Sequence, residues 1–122
     1  YGGRYAVHIC GNTTKILGDM AKTNADVIEL DWQVDMGEAR RIFGEKTVLM
    51  GNIDPSDPLV LGTPEQVDAK AKEIILRTKG KGLFLSSGCA MGANTKPENM
   101  QAMVEAAKKY GTYEQIMELN RQ

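Results

Sequence analysis

The sharpest chemistry in this chain belongs to its single histidine and its two cysteines, His8, Cys10 and Cys89. His8 and Cys10 stand two positions apart after the apolar pair Ala6-Val7, so a strand through them turns both side chains to one face. Cys89 follows the apolar run Leu83-Phe84-Leu85, at the end of Ser86-Ser87-Gly88-Cys89. An imidazole and two thiolates are the ligand set of an open zinc site, where three protein groups hold the metal and the fourth position admits water or substrate. Taken singly, each residue has a blander reading, the cysteines as small buried hydrophobes and His8 as an isolated imidazole. The placement of all three at the ends of apolar runs favours the metal.

These residues need elements to position them, and the chain supplies one unit four times. Tyr5 to Ile9 reads as a strand. Asn12, Thr13 and Thr14 then offer helix caps ahead of Ile16, Leu17 and Met20. Asp26 to Asp31 is the second strand, followed by a short helix capped by Asp35, with Ala39, Ile42 and Phe43 inward and Gly44 as its stop. Thr47 to Gly51 is the third strand, left through Asn52-Ile53-Asp54-Pro55. Thr63-Pro64-Glu65-Gln66 opens a helix with a capping box, and its stripe is Val67, Ala71, Ile74 and Ile75. After the fourth strand, Leu83 to Ser86, the string Thr95-Lys96-Pro97-Glu98 repeats the capping logic before Met100, Met103, Val104 and Ala107. A last amphipathic piece carries Tyr113, Ile116, Met117 and Leu119. The methionines fall mostly on helix stripes and read as core filler.

Strand–helix alternation with strands too apolar for a one-sided sheet predicts a parallel α/β architecture. Four βα units make either a small open sheet or half of an eight-unit barrel. The metal ligands discriminate. In a flat sheet of order 1-2-3-4 the outer strands lie about 14 Å apart, at roughly 4.8 Å per step. Two sulfurs on one zinc must approach within about 4 Å. Only a curled sheet brings them together. Each polar residue of interest also follows or closes a strand (His8, Cys10, Asp31, Asn52, Asp54, Cys89), as on the catalytic face of a (β/α)8 barrel.

With 15 basic and 16 acidic residues the charge is nearly balanced, which gives no electrostatic case for nucleic acid or an anionic membrane. No apolar run reaches the roughly 20 residues of a spanning helix, and no signal-peptide pattern opens the sequence. Two cysteines do not form a disulfide framework. A cytoplasmic protein of one domain, residues 1–122, is expected, and a first residue of Tyr1 suggests a fragment of a longer chain.

The strings H-I-C-G-N, V-I-E-L-D, G-N-I-D-P, G-T-P-E-Q-V, S-S-G-C-A and K-P-E-N-M-Q-A-M-V-E-A-A-K-K-Y-G resemble the C-terminal half of the uroporphyrinogen decarboxylase superfamily, from about Val7 to Gly111. Within it, H-x-C with a distant cysteine is similar to the zinc-dependent methylcobalamin:coenzyme M and related corrinoid methyltransferases. The decarboxylases proper usually carry a histidine where this chain has Cys89, and they lack the H-x-C pair.

The resemblance implies a TIM barrel of which this chain is the C-terminal half, with His8, Cys10 and Cys89 as zinc ligands. It implies a methyl group moved from methylcobalamin or a corrinoid protein to a small thiol such as coenzyme M, deprotonated at the metal. The implied partners are the corrinoid protein, the thiol, and the N-terminal half-barrel or a second copy of this chain. Two other readings stay open: a porphyrinogen decarboxylase, and a non-catalytic half-barrel that binds metal and a partner chain. Asp31 is expected to orient His8 or to complete the resting metal sphere, or else to cap the next turn. Glu29 is an outward carboxylate or a support behind the metal ligands. Asn52 and Asp54 are expected at the substrate, with a structural turn fixed by Pro55 as the alternative.

Overall fold

Each apolar run becomes a strand, and each strand is answered by a helix on the same side of one sheet. The computed structural model describes residues 2–122. Strand β1 (Ala6–Ile9) leads through a 3-10 turn at Thr14–Ile16 into α1 (Leu17–Ala21). Then come β2 (Val27–Leu30), α2 (Met36–Phe43), β3 (Val48–Ile53), α3 (Pro64–Thr78), β4 (Leu83–Ser87), α4 (Pro97–Tyr110) and α5 (Tyr113–Leu119). All neighbouring strands pair in parallel, in the order β1-β2-β3-β4. This is the arrangement of half a (β/α)8 barrel.

The sheet has one dry face and one bare face. Ile28, Leu30, Leu49 and Ile53 are fully buried against Leu17, Met20, Met36, Ala39, Phe43, Val67, Ala71 and Ile74 from the helices. The alternate positions line the concave face, where strand register sets His8 beside Glu29, Glu29 beside Met50, and Met50 beside Phe84. None of these side chains is buried, and Phe84 is 60% exposed. In a closed barrel such positions fill the central core.

The starts of α2 and α3 follow the local chemistry, whereas those of α1 and α4 do not: Thr13 and Ile16 stand at the caps of the 3-10 turn and of α1 without a side-chain bond. Asp35 accepts the Glu38 N–H at 2.8 Å and so caps α2. Thr63 and Gln66 form the reciprocal capping box of α3. The same box expected at α4 does not form: Lys96 occupies the cap without a side-chain bond, and Thr95 donates instead to the Gly92 carbonyl. Thr63 directly precedes its proline, whereas Thr95 is separated from Pro97 by Lys96. Proline takes the first helical position in both cases, which moves Thr95 one residue outside the helix.

The inward face of α4 also differs from the stripe expected. Met100 and Val104 are exposed, while Asn99 and Ala106 are fully buried. Asn99 donates to the carbonyls of Pro58, Leu59 and Gly62, each at 3.1 Å, and so fastens the β3–α3 loop to α4. Of the methionines only Met20 and Met36 are buried; Met91, Met100 and Met117 are each 39% exposed. No helix among the described residues is long and apolar enough to cross a membrane.

Candidate metal centre

Cys10 and Cys89 come from opposite edges of the sheet, yet their sulfurs lie 3.4 Å apart. Two features close the gap. At the β1 end, Cys10 lies one residue past the last strand position, followed by Gly11, whose φ of 90° turns the chain sharply. At the β4 end, Gly88 donates its N–H to the Ile53 carbonyl at 2.7 Å and lies flat on the backbone of Trp32. A Cβ at Gly88 would come within 2.4 Å of the Trp32 nitrogen, so only glycine lets the loop lean across β3 and β2 toward β1. Ser87 adds a bond from its hydroxyl to the Cys89 carbonyl at 2.6 Å.

His8 completes the cluster. Its Nε2 lies 3.1 Å from the Cys10 sulfur, and the ligand atoms of His8, Cys10 and Cys89 all fall within 4.8 Å of one another. In tetrahedral zinc coordination two thiolate sulfurs lie about 3.8 Å apart, given bonds of about 2.3 Å, so the observed spacing fits that ion with small adjustment. The hydrogen bond with Cys89 comes first among the causes that push the Cys10 thiol above its ordinary 9.0, followed by desolvation and the negative charges of Cys89, Asp31 and Glu29. A cation between the two sulfurs would offset these effects and favour both as thiolates. Both cysteines are free, and at 3.4 Å their sulfurs are in contact without being bonded.

None of Asp31, Asn52 and Asp54 joins the cluster: Asp31 lies beside it, while Asn52 and Asp54 hold the loops after β2 and β3. Asp31 is buried, at 5% exposure. Its Oδ2 accepts the Gly11 N–H at 2.9 Å, while its Oδ1 accepts the Gln33 N–H at 3.0 Å and the Gln33 amide at 3.3 Å. The carboxylate therefore ties the backbone beside Cys10 to the end of β2. Burial alone raises its pKa, but the bonds from Gln33 and Gly11 outweigh that and hold it below the ordinary 3.8. Because the folded value is the lower one, the stabilisation is present above the unfolded pKa and is lost as pH falls through the folded one. The expected result is an acid-side loss of urea resistance below about pH 4 that is smaller in Asp31→Asn than in the parent.

Asn52 is also buried, and its amide donates to the carbonyls of Asp31 (3.0 Å) and Val34 (2.6 Å). Asp54 accepts the Ser56 N–H at 2.8 Å and shapes the turn out of β3. The carboxylate that does face His8 is Glu29, with Oε2 3.4 Å from Nδ1. Alternation on β2 gave Glu29 the correct face, but pairing with His8 needed the strand register.

The family model of uroporphyrinogen decarboxylase matches residues 2–110. The chain belongs to the uroporphyrinogen decarboxylase family. Among curated relatives of this family, the methylcobamide:CoM methyltransferase MtbA of Methanosarcina mazei is 40% identical over 104 residues, covering 85% of this chain and 30% of that protein. MtbA of Methanosarcina acetivorans is 42% identical over the same shares. A uroporphyrinogen decarboxylase of Synechococcus is 33% identical over 104 residues, covering 85% of this chain and 29% of that protein. A solved methyltransferase from Methanosarcina mazei superposes with a TM-score of 0.80 at 27% identity, covering 91% of this chain and 32% of that one. The chain thus spans about a third of the length of the family members it matches. Its four βα units correspond to half of the barrel in this family, with His8, Cys10 and Cys89 at the carboxyl ends of the strands.

Proposed function

We propose that this chain is the metal-bearing half of a corrinoid-dependent methyltransferase that methylates a small thiol such as coenzyme M. The convergence of His8, Cys10 and Cys89 on one point is the observation that carries the reading. Zinc bound there supplies Lewis acidity that lowers the pKa of a thiol in the open position. The remaining work falls to the chain. Cys10 and Cys89 donate negative charge, which keeps a thiol sulfur beside them nucleophilic. Asp31 holds Gly11 and with it the approach of Cys10, acting on the site through the backbone. Asn52 and Asp54 serve the substrate side through the loops they hold.

In the transfer, the thiol proton leaves to solvent and the sulfur lone pair forms a bond to the methyl carbon. A methyl-corrinoid would supply the methyl group and keep the electron pair of the bond that breaks. The corrinoid, free or on a carrier protein, approaches from the mouth where the strand ends converge. Since the chain spans about a third of its relatives, the other barrel half, or a second copy, is proposed to complete the pocket.

Methylcobalamin and coenzyme M, given to the zinc-reconstituted protein within its completed barrel, are expected to yield demethylated cobalamin, followed by its absorbance change. Uroporphyrinogen is expected to be left intact. Porphyrinogen turnover without cobalamin demethylation would overturn the proposal in favour of the decarboxylase branch.

A further inference from the structure

We infer that Glu29 is the positioning residue of the metal centre: its carboxylate accepts the Nδ1 proton of His8 and so leaves Nε2 as the nitrogen offered to the ion. The inference rests on the metal reading above.

Three observations carry it. His8 and Glu29 are register partners on adjacent parallel strands, so their side chains rise from the same concave face side by side. The two nitrogens of the ring are divided between two neighbours: Nδ1 lies 3.4 Å from Glu29 Oε2, and Nε2 lies 3.1 Å from the Cys10 sulfur. Glu29 is also uncommitted elsewhere, making no ion pair with a lysine or arginine among the described residues. Asp31, the other nearby carboxylate, has its oxygens taken by Gly11 and Gln33.

A neutral imidazole carries one N–H, and the group that accepts it decides which nitrogen is free to ligate. A carboxylate behind the ring fixes the tautomer, locks the ring plane and raises the basicity of the ligating nitrogen. The side chains of His8 and Glu29 are 31% and 29% exposed, so most of each is shielded from water although neither is buried. The negative charge of Glu29 also adds to that of the two thiolates, which keeps a substrate sulfur at the open position electron-rich.

The test uses the whole chain reconstituted with zinc and its Glu29→Gln and Glu29→Asp variants. Competition with a chromophoric chelator reads affinity, and 15N NMR reads the ring directly, since the chain has one histidine. Glu29→Gln is expected to bind zinc about 10- to 100-fold more weakly and to lose the deshielded Nδ1–H signal of the zinc-loaded parent. Glu29→Asp, which keeps the charge, recovers part of the affinity. Glu29→Gln affinity within about twofold of the parent with an unchanged ring signal would overturn the inference. If Glu29→Gln does not fold, the parent spectrum decides: a parent that binds zinc without an Nδ1–H signal removes Glu29 from the role. A parent that binds no zinc overturns the metal reading itself, a result distinct from a parent that binds and variants that match it.

Discussion

Cys89→Ala is expected to abolish zinc binding at micromolar metal. Three ligands hold an open site, so removing one leaves two protein donors for an ion that needs four neighbours. The loss should exceed the roughly 100-fold that accompanies removal of a hydrogen-bond partner behind a ligand. Cys10→Ala and His8→Ala are expected to behave alike, because each supplies one corner of the same cluster. Cys89→Ser is the sharper control: it keeps the volume and polarity of the side chain but offers an alcohol that does not ionise as the thiol does. Binding in the parent should weaken on acidification, since protons compete for His8 and both sulfurs. Isothermal titration of zinc into the metal-free protein measures all of these. Parent-like affinity in Cys89→Ala would remove this residue from the site and leave the convergence of the two loops without a metal to explain it.

The second large effect concerns association. The parallel sheet ends in two open edges, β1 and β4, each presenting unpaired backbone groups. Its concave face carries Val27, Val48 and Met50 half-buried and Phe84 60% exposed, with Tyr5 at 48% close to the foot of β1. Parallel sheets are stable when covered on both faces, and this one is covered on one. Burying a side chain such as Phe84 contributes about 1.5–3 kcal/mol, and several such side chains share the face. At low micromolar concentration the chain alone is therefore expected to scatter light as a dimer or larger species and to bind a hydrophobic dye. A second set of four βα units, from another copy or from the other barrel half, should abolish the dye binding and raise Tm. A monomer that unfolds cooperatively and binds no dye would contradict the half-barrel account, since something else would then cover Phe84 and both edges.

The sequence determined most of the elements and the residue types of the candidate metal centre, because both are encoded locally. Apolar runs bounded by Gly, Pro and capping residues mark four strands, and the Thr63-Pro64-Gln66 start of α3 is legible residue by residue. One histidine and two cysteines at strand ends, in a family-like series of motifs, named a metal chemistry before any geometry. Local reading failed where a side chain's role depends on a distant partner. Periodicity assigned Met100 and Val104 to the core, whereas the loop carbonyls of Pro58, Leu59 and Gly62 draw Asn99 there.

The tertiary structure alone decided how the site is built. The bond from Gln33, two residues on, is the turn cap the sequence allowed for Asp31, but nothing local reveals that its other oxygen goes to Gly11 while Glu29 faces His8; parallel register between β1 and β2 sets that division. Nor does the string Ser87-Gly88-Cys89 show that Gly88 rests on Trp32, fifty-six positions earlier, and so carries Cys89 to within 3.4 Å of Cys10. The physical reason is common to both. Sequence spacing fixes which face of its own element a side chain occupies, whereas contact between edges of a curled sheet depends on the register and close approach of backbones far apart in the chain.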